Sequence, residues 1–497
     1  MESQWKLSDQ LRAGTRFEHV GVDRIEEHAR TSSPWTFFAI FLGGSVGLGN
    51  VAFGWIPITF GLGVWDALSS IVVGTLIGLP LIAPLITIGS RTATNNSTAS
   101  GAHFGVRGRL IGSFVGLAIM VTYCAISIWA GGSATVAVLG RLFGTPTTDG
   151  ALAIAYAGMA LLVVYIAIYG YHLLVRANTI LFVGGGLLIV LMLIAFARDL
   201  NFSYEGGEYL LGSYWKTWLL SAVAVGIGGA MSLTTIMGDW TRYISPSRYP
   251  TSKLVPVAWL SAFIGLVVPA GIGTAVAATF ADPYADFAQS LASASPNWYA
   301  IALLPLAFFG GLGLAAETVY SGGLDLDAIF PRLTRAMATV IMSVISVALV
   351  FLGSLVWNVS ESIYSTSLML TAMAAPWAAI VGIGYLRCRG RYLLDDLQVF
   401  NRGQRGGAYW FIDGWNWRAV IAWVAGSAFG ILAINTTLYV GPLADIAGGV
   451  DVSFVGSFVI AGAVYLGLGA DSLSAPIAAT TAAGSVPGVE RGDSHVG

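Results

Sequence analysis

The sequence predicts an all-α polytopic membrane protein with about twelve transmembrane helices. Three observations lead there. Hydrophobic residues make up 56% of the 497-residue chain and charged residues only 10%, with a mean hydropathy of +0.75, so apolar runs recur along its whole length as in no soluble core. Basic residues fall almost wholly in alternate loops. Two apolar runs, Phe37 to Asn50 (FFAIFLGGSVGLGN) and Leu219 to Asp239 (LLSAVAVGIGGAMSLTTIMGD), are interrupted by glycines.

Taken in order, the runs place spans near residues 35–60, 64–88, 109–142, 152–170, 174–197, 215–240, 254–280, 298–323, 335–357, 362–385, 418–438 and 452–470. Spans one and six are the interrupted ones. Glycine costs about 1 kcal/mol per interior helix position relative to alanine, and in hydrocarbon an opened backbone needs new partners for its N–H and C=O groups. Such breaks persist where they line a cavity, and paired breaks in two halves of a chain point to a transport site at the bilayer midplane.

The spacing therefore divides the chain into a cytoplasmic tail at 1–33, a five-helix repeat at 34–197, a second, inverted one at 198–386, a cytoplasmic loop with two further helices at 387–471, and a disordered Ala/Gly/Ser/Thr-rich tail at 472–497. The Trp- and Tyr-containing stretch between Arg387 and Arg418 suits an interfacial anchor.

Charge sets the orientation. With a cytoplasmic N-terminus, inside segments hold 21 of the 24 Lys and Arg residues, and outside ones hold Arg141, Arg198 and Lys216. Both termini are thus expected in the cytoplasm of a multi-pass cytoplasmic-membrane protein. Residues 1–33 lack a basic stretch leading directly into a cleavable apolar core, so no signal peptide is expected. A net charge of −2 gives no basic excess for nucleic acid, and Cys124 in a span and Cys388 in a basic loop suggest no disulfide. The absence of a GxxxxGK[ST] loop disfavours ATP-driven transport. Glu317 and Glu361 stand apart from any buried histidine, which disfavours an intramembrane enzyme, and neither a cofactor nor an obligatory protein partner is implied. An amino-acid or other small-solute symporter would share the architecture and differ in its pocket.

Four strings carry a resemblance: EEHARTSSPWTFF before span one, ASGAHFGVRGR before span three, GDWTRYISP closing span six and TVYSGGLDL in span eight. Together, in this order, they resemble the nucleobase–cation symporter family of purine and cytosine permeases and hydantoin, allantoin and uracil transporters, over about residues 20–470. The resemblance implies a LeuT-like fold of two inverted five-helix repeats plus two C-terminal helices, with a small heterocycle held between spans one, three, six and eight.

It also implies site residues. In TYCAISIWAGG, Tyr123 matches an aromatic that stacks on the substrate and Ser127 a polar contact one turn on; Trp129 is a weaker substitute for the stacking ring. Gly229, Ala230, Met231 and Ser232 match the span-six break, where opened backbone and a hydroxyl meet the heterocycle's edge, unless GIGG serves close helix packing instead. In span one the break is expected from Gly43 to Gly47, with Gly47 a substrate contact and Asn50 a substrate contact, a gate or a cap of the unwound end. Asp239 and Arg242, three residues apart, are expected to form a structural or gating pair. His103 and His172 fall in inside loops and read as solvated.

Glu317 stands where the family commonly has a substrate-binding Asn. A carboxylate at the bilayer centre costs about 2.5–3.5 kcal/mol on insertion scales, so it needs a proton or hydrogen bonds, for instance from a substrate N–H. The family's sodium site uses carbonyls matching Gly43 and Val46 and span-eight hydroxyls where this chain has Gly313 and Leu314. The lost hydroxyls favour H+ over Na+ as the coupling ion, unless a shift of one turn brings in Thr318. The expected partners are thus a heterocyclic substrate and the lipid bilayer, and the expected activity is cation-coupled import by alternating access.

The orientation has a direct check. Cysteines introduced at Asp149 and Asp282 should react with an impermeant thiol reagent added outside intact cells, while one at Arg402 should react only after permeabilisation; the reverse labelling would overturn the orientation.

Overall fold

The computed structural model describes residues 20–285, 287–356, 359–436 and 438–469, excluding the side chains of 354–365 and 367. The expected tails at 1–19 and from 470 onward, and the Glu361 side chain, lie outside the described residues. Among these residues every extended regular element is a helix, with isolated bridges such as Thr31 to Ile244.

Among the described residues, eight helices are long and apolar enough to cross a membrane. They form spans two to five, Val64–Thr92, Leu110–Phe143, Asp149–Tyr169 and Tyr171–Phe196, and spans seven to ten, Thr251–Ala277, Asn297–Ile329, Arg335–Val356 and Val359–Arg387. Span one is a helix pair, Pro34–Ser45 and Leu48–Thr59, bent by 63°. Its first half starts on a capping box between Ser33 and Thr36 with Pro34 in the first turn, and its second half restarts from extended Gly47. Spans eleven and twelve, Trp417–Ala433 and Ser453–Gly467, are shorter apolar helices that pack on each other and on span ten.

Span six is more irregular than expected. Helix Tyr214–Ser221 passes into a π-helical stretch, Ala222–Ile227, then one turn at Gly228–Met231, and re-forms at Met237–Thr241. The non-helical stretch is 232–236, so the opening starts at Ser232, and Gly229 and Ala230 lie in the turn before it. Gly226 serves packing: a Cβ there would fall 2.6 Å from the Gly74 Cα of span two. A π-bulge relieves the ladder locally where this close approach is needed.

Glycines also seat span one. A Cβ at Gly54 would lie 1.7 Å from the Ala270 carbonyl oxygen, and one at Gly273 would lie 1.8 Å from that of Val51, so the second half of span one meets span seven backbone to backbone. Span eight runs against span three and against the break, with Cβ positions 2.7 Å from the Ser127 oxygen at Gly311 and 3.1 Å from the Gly47 Cα at Gly310.

Three expectations about the inside loops change. His103 is buried, not solvated, because its ring packs on Gly384 of span ten and its Nε2 lies 3.2 Å from the Tyr392 hydroxyl. Burial pushes this imidazole down to about 3, so it stays neutral. Cys388 is likewise buried, at the end of span ten, and both it and Cys124 are free thiols. The stretch after Arg387 folds onto the connection between spans two and three, the Val106 N–H donating to the Tyr409 carbonyl at 3.1 Å and the Asn416 N–H to that of Phe104 at 2.7 Å. Tyr409 is therefore buried, while Trp417 keeps the exposed position an anchor needs. His172 is exposed as expected.

The glycine contacts set a stability test. Gly54→Val and Gly273→Val each force a branched side chain into a backbone and should lower the thermal midpoint of the purified protein or abolish its recovery, overpacking costing about 1–3 kcal/mol or more. Gly186→Ala, where an added Cβ meets nothing within 4 Å, should leave the midpoint unchanged. Equal midpoints for all three variants would contradict the packing described.

Candidate functional site

At the break of span one the chain offers backbone to span eight. The Gly43 carbonyl lies 2.4 Å and the Val46 carbonyl 3.2 Å from the positions Cβ atoms would take at Gly313 and Gly310. Gly43 thus meets Gly313, and Val46 meets Gly310 one turn earlier on the same helix. The space a hydroxyl at 313 would need is occupied by span one itself.

Glu317, one turn beyond Gly313, turns its carboxyl onto the same break. Its oxygens would lie 2.5 and 2.6 Å from a Cβ at Gly44, it accepts the Gly44 N–H, and its Oε1 has no hydrogen-bond partner among the described residues. It is 1% exposed. Gly44 lies in the last turn of the first half-helix, so the buried carboxyl is set against helical backbone, and among the described residues no lysine or arginine is paired with it.

Asn50 caps this break: its amide donates to the Ser45 carbonyl at 3.0 Å, the role left open beside substrate contact. Gly47 is the other half of the cap, its carbonyl accepting the Asn50 N–H at 3.1 Å. The Thr318 hydroxyl donates back to the Ala315 carbonyl of its own helix at 2.8 Å and lies beside Cys124 of span three.

Tyr123 is half-buried in the interior, and its hydroxyl reaches those of Ser232, at the opening of span six, and Thr371 of span ten. The hydroxyl end of the ring is thereby held between two helices. Ser232 also donates to the Gly229 carbonyl at 2.8 Å. Gly229 has open space beside it, a Cβ there meeting nothing nearer than Leu266 at 3.6 Å. Ala230 points elsewhere: its methyl fills the gap against Gly78 of span two, so its side chain lies outside this group. Ser127 donates to the Tyr123 carbonyl at 2.7 Å, which ties it to its own helix. A cavity of about 510 Å³, whose lining includes Val223, Gly228 and Thr371, leads from this region towards Phe60, Thr436 and Asp451, at the end of the bundle opposite the Arg-rich loops.

That basic end is closed by buried charges. Asp239 accepts the Asn96 N–H at 3.1 Å and sits in the field of Arg242 and Arg335. Arg242 donates to the Gly21 carbonyl at 2.6 Å and the Tyr320 hydroxyl at 2.8 Å. The expected pair therefore belongs to a wider network. Asp327 holds the Val22 N–H at 3.0 Å, and Arg30 donates to carbonyls of Arg242, Ile244 and Ser90. Residues 20–33 are thereby sewn across the ends of spans two, six and eight.

Sequence reasoning missed Asn178, Thr371 and Asp325. Asp325 was inside a quoted string, TVYSGGLDL, and a carboxylate following two glycines in an apolar helix is a signal of buried pairing; its partner is Ser97. Asn178 was legible as an amide early in the apolar run of span five, fully buried here beside Gly43. Nothing in the sequence distinguishes Thr371 from other span threonines.

Comparison with known proteins bears on the family and the fold. The family described as permease for cytosine/purines, uracil, thiamine, allantoin matches residues 24–459. A relative in Bacillus subtilis (strain 168), named "Putative purine-cytosine permease YxlA", is 21% identical over 458 residues, covering 90% of this chain and 95% of that protein. Among solved structures, Mhp1, a nucleobase-cation-symport-1 family transporter in a closed conformation with bromovinylhydantoin bound, superposes with a TM-score of 0.71 at 17% identity, covering 94% of this chain and 97% of that one. Inward-facing Mhp1 gives 0.65 at 19% identity, with 93% and 96% covered. A Na+-coupled sialic acid symporter in an outward-open state gives 0.59 at 14%, with 95% and 96% covered. The chain accordingly belongs to the permease family for cytosine/purines, uracil, thiamine and allantoin, and it is a multi-pass membrane transporter of LeuT-like fold rather than an enzyme.

Proposed function

We propose that this protein imports a planar nitrogen heterocycle of the nucleobase, allantoin or hydantoin class by alternating access, coupled to protons, across the cytoplasmic membrane with both termini inside. The observation that carries this reading is the placement of Tyr123 between Ser232 and Thr371, beside the open backbone of Gly229. A ring held by its hydroxyl presents a fixed face, and stacking of a base on such a face contributes about 1–3 kcal/mol by analogy with single-stranded nucleic-acid binding. Gly229 and the opened backbone from Ser232 supply hydrogen bonds to the heterocycle's edge.

An amino-acid substrate suits the site less well. In this fold the backbone N–H groups of a broken helix suit an anionic carboxylate, but here a carboxyl of the protein itself, Glu317, already lies against span one at Gly44. Proton coupling is supported by the same contact and by Gly313, where the approach of the Gly43 carbonyl leaves no room for a sodium-binding hydroxyl. Glu317 is then the group that takes up and releases the proton, and the network of Asp239, Arg242 and Asp327 is the inside gate that opens when residues 20–33 part from the bundle.

Uptake by a transport-deficient cell tests this. Radiolabelled cytosine, uracil, adenine, hypoxanthine, allantoin and hydantoin should include at least one accumulated compound, with uptake abolished by a protonophore and indifferent to replacing sodium by choline. Tyr123→Ala should raise the half-saturating concentration about tenfold or more, as expected for about 1–3 kcal/mol of stacking, while Tyr123→Trp stays near wild type at equal surface expression. Uptake that requires sodium would overturn the coupling, and equal kinetics for both variants would return Tyr123 to packing alone.

A further inference from the structure

Span five contributes a polar group that neither the mechanism above nor the family pattern uses. Asn178 is 0% exposed, and neither its Oδ1 nor its Nδ2 has a hydrogen-bond partner among the described residues. Its position is tightly fixed. A Cβ at Gly43 would fall 2.4 Å from the Asn178 Cβ and 2.6 Å from its Cα, so the helix of span five lies directly on the glycine that precedes the break. The Asn178 Oδ1 reaches across to span eight, 2.9 Å from where a Cβ at Gly313 would be, and the Gly43 carbonyl oxygen approaches the same point at 2.4 Å. Glu317 stands one turn along the same helix with its carboxyl at Gly44 and its Oε1 unpartnered.

Spans one, five and eight thus bring three kinds of oxygen to consecutive residues of the break: a backbone carbonyl, an amide oxygen and a carboxyl. A buried amide with both atoms idle is costly to retain unless something polar visits it. The glycines at 43 and 313 are what let its oxygen reach this place, since any side chain at either position would displace it.

We infer that Asn178 is a ligand of the coupling cation, its side-chain oxygen replacing the hydroxyls that span eight lacks at Gly313 and Leu314, and acting with the Gly43 carbonyl and the Glu317 carboxyl. The shared chemistry is that of a small monovalent cation seeking oxygen donors, delivered either as a hydrated proton or as sodium. The inference rests on the cation-coupled reading above and adds to it the third helix that senses the ion. Because span five lies against the first half of span one, occupancy of this site would bear directly on the bend at Val46 and Gly47.

The test compares wild type, Asn178→Ala and Asn178→Asp in proteoliposomes, using whichever of the heterocycles named above the wild type exchanges fastest. Two quantities are measured: counterflow exchange with no ion gradient, and accumulation driven separately by a pH gradient and by a sodium gradient. The gradient that the wild type obeys identifies the ion. Asn178→Ala should keep exchange within about twofold and lose about tenfold in accumulation under that gradient, whereas Asn178→Asp, which retains an oxygen, should keep both. Full accumulation by Asn178→Ala, or exchange and accumulation falling in the same proportion with Asn178→Asp no better, would overturn the assignment while leaving the transport reading intact. A wild type that exchanges none of the heterocycles would remove that reading, and this inference with it.

Discussion

The structure depends on the contact between the broken first span and the glycines of span eight. At Gly310, Gly311 and Gly313 the helix presents only backbone, and the oxygens of Val46, Ser127 and Gly43 lie where side chains would otherwise begin. Helices in lipid gain little from hydrophobic burial against one another, so approach this close, with its dispersion and polar contacts, is the main source of affinity between them. It also dictates the chemistry. Once the Gly43 carbonyl occupies the face of Gly313, span eight has no place for a hydroxyl there, and its next polar residue, Glu317, turns onto the helical backbone at Gly44 instead.

A second consequence concerns the two ends of the molecule. At the Arg-rich end, Arg242 and Asp327 are held by the Gly21 carbonyl and Val22 N–H of the segment that precedes span one, Arg30 of that segment donates to the Arg242 carbonyl, and Asp239 accepts the Asn96 N–H. Buried charges held this way are costly to separate, and a network whose members all have to part together suits a gate with discrete closed and open states. At the other end the cavity of about 510 Å³ leads to Gly228 and Thr371. The half-buried Tyr123 ring, bonded to spans six and ten, stands between these regions.

Much of the fold was legible because its signals are one-dimensional. Hydropathy located the spans to within several residues, and Gly43 to Gly47 marked the break that falls at Val46 and Gly47. Span six was read less well, because a glycine can open a helix or bring two helices together. Gly226 does the second, against Gly74, and the opening comes later, where Ser232 begins a stretch with no glycine in it. The site was legible where spacing along one helix decides the neighbours, as for Gly313 and Glu317. It was hidden where the partner comes from a distant helix: His103 looked solvated until span ten covered it, and Asn178 and Thr371 acquire meaning only through Gly43 and Tyr123.

On the proposed mechanism, entry of the heterocycle and entry of a proton are one event, joined at the break of span one. Proteoliposomes loaded with a pH-sensitive dye, in sodium-free medium and clamped at zero membrane potential, measure both at once. Addition of the transported heterocycle to wild-type vesicles should acidify the lumen in step with its uptake, and Glu317→Gln should take up or exchange the compound with no acidification. Substrate entry without proton entry in the wild type, or acidification that persists unchanged in Glu317→Gln, would contradict the account.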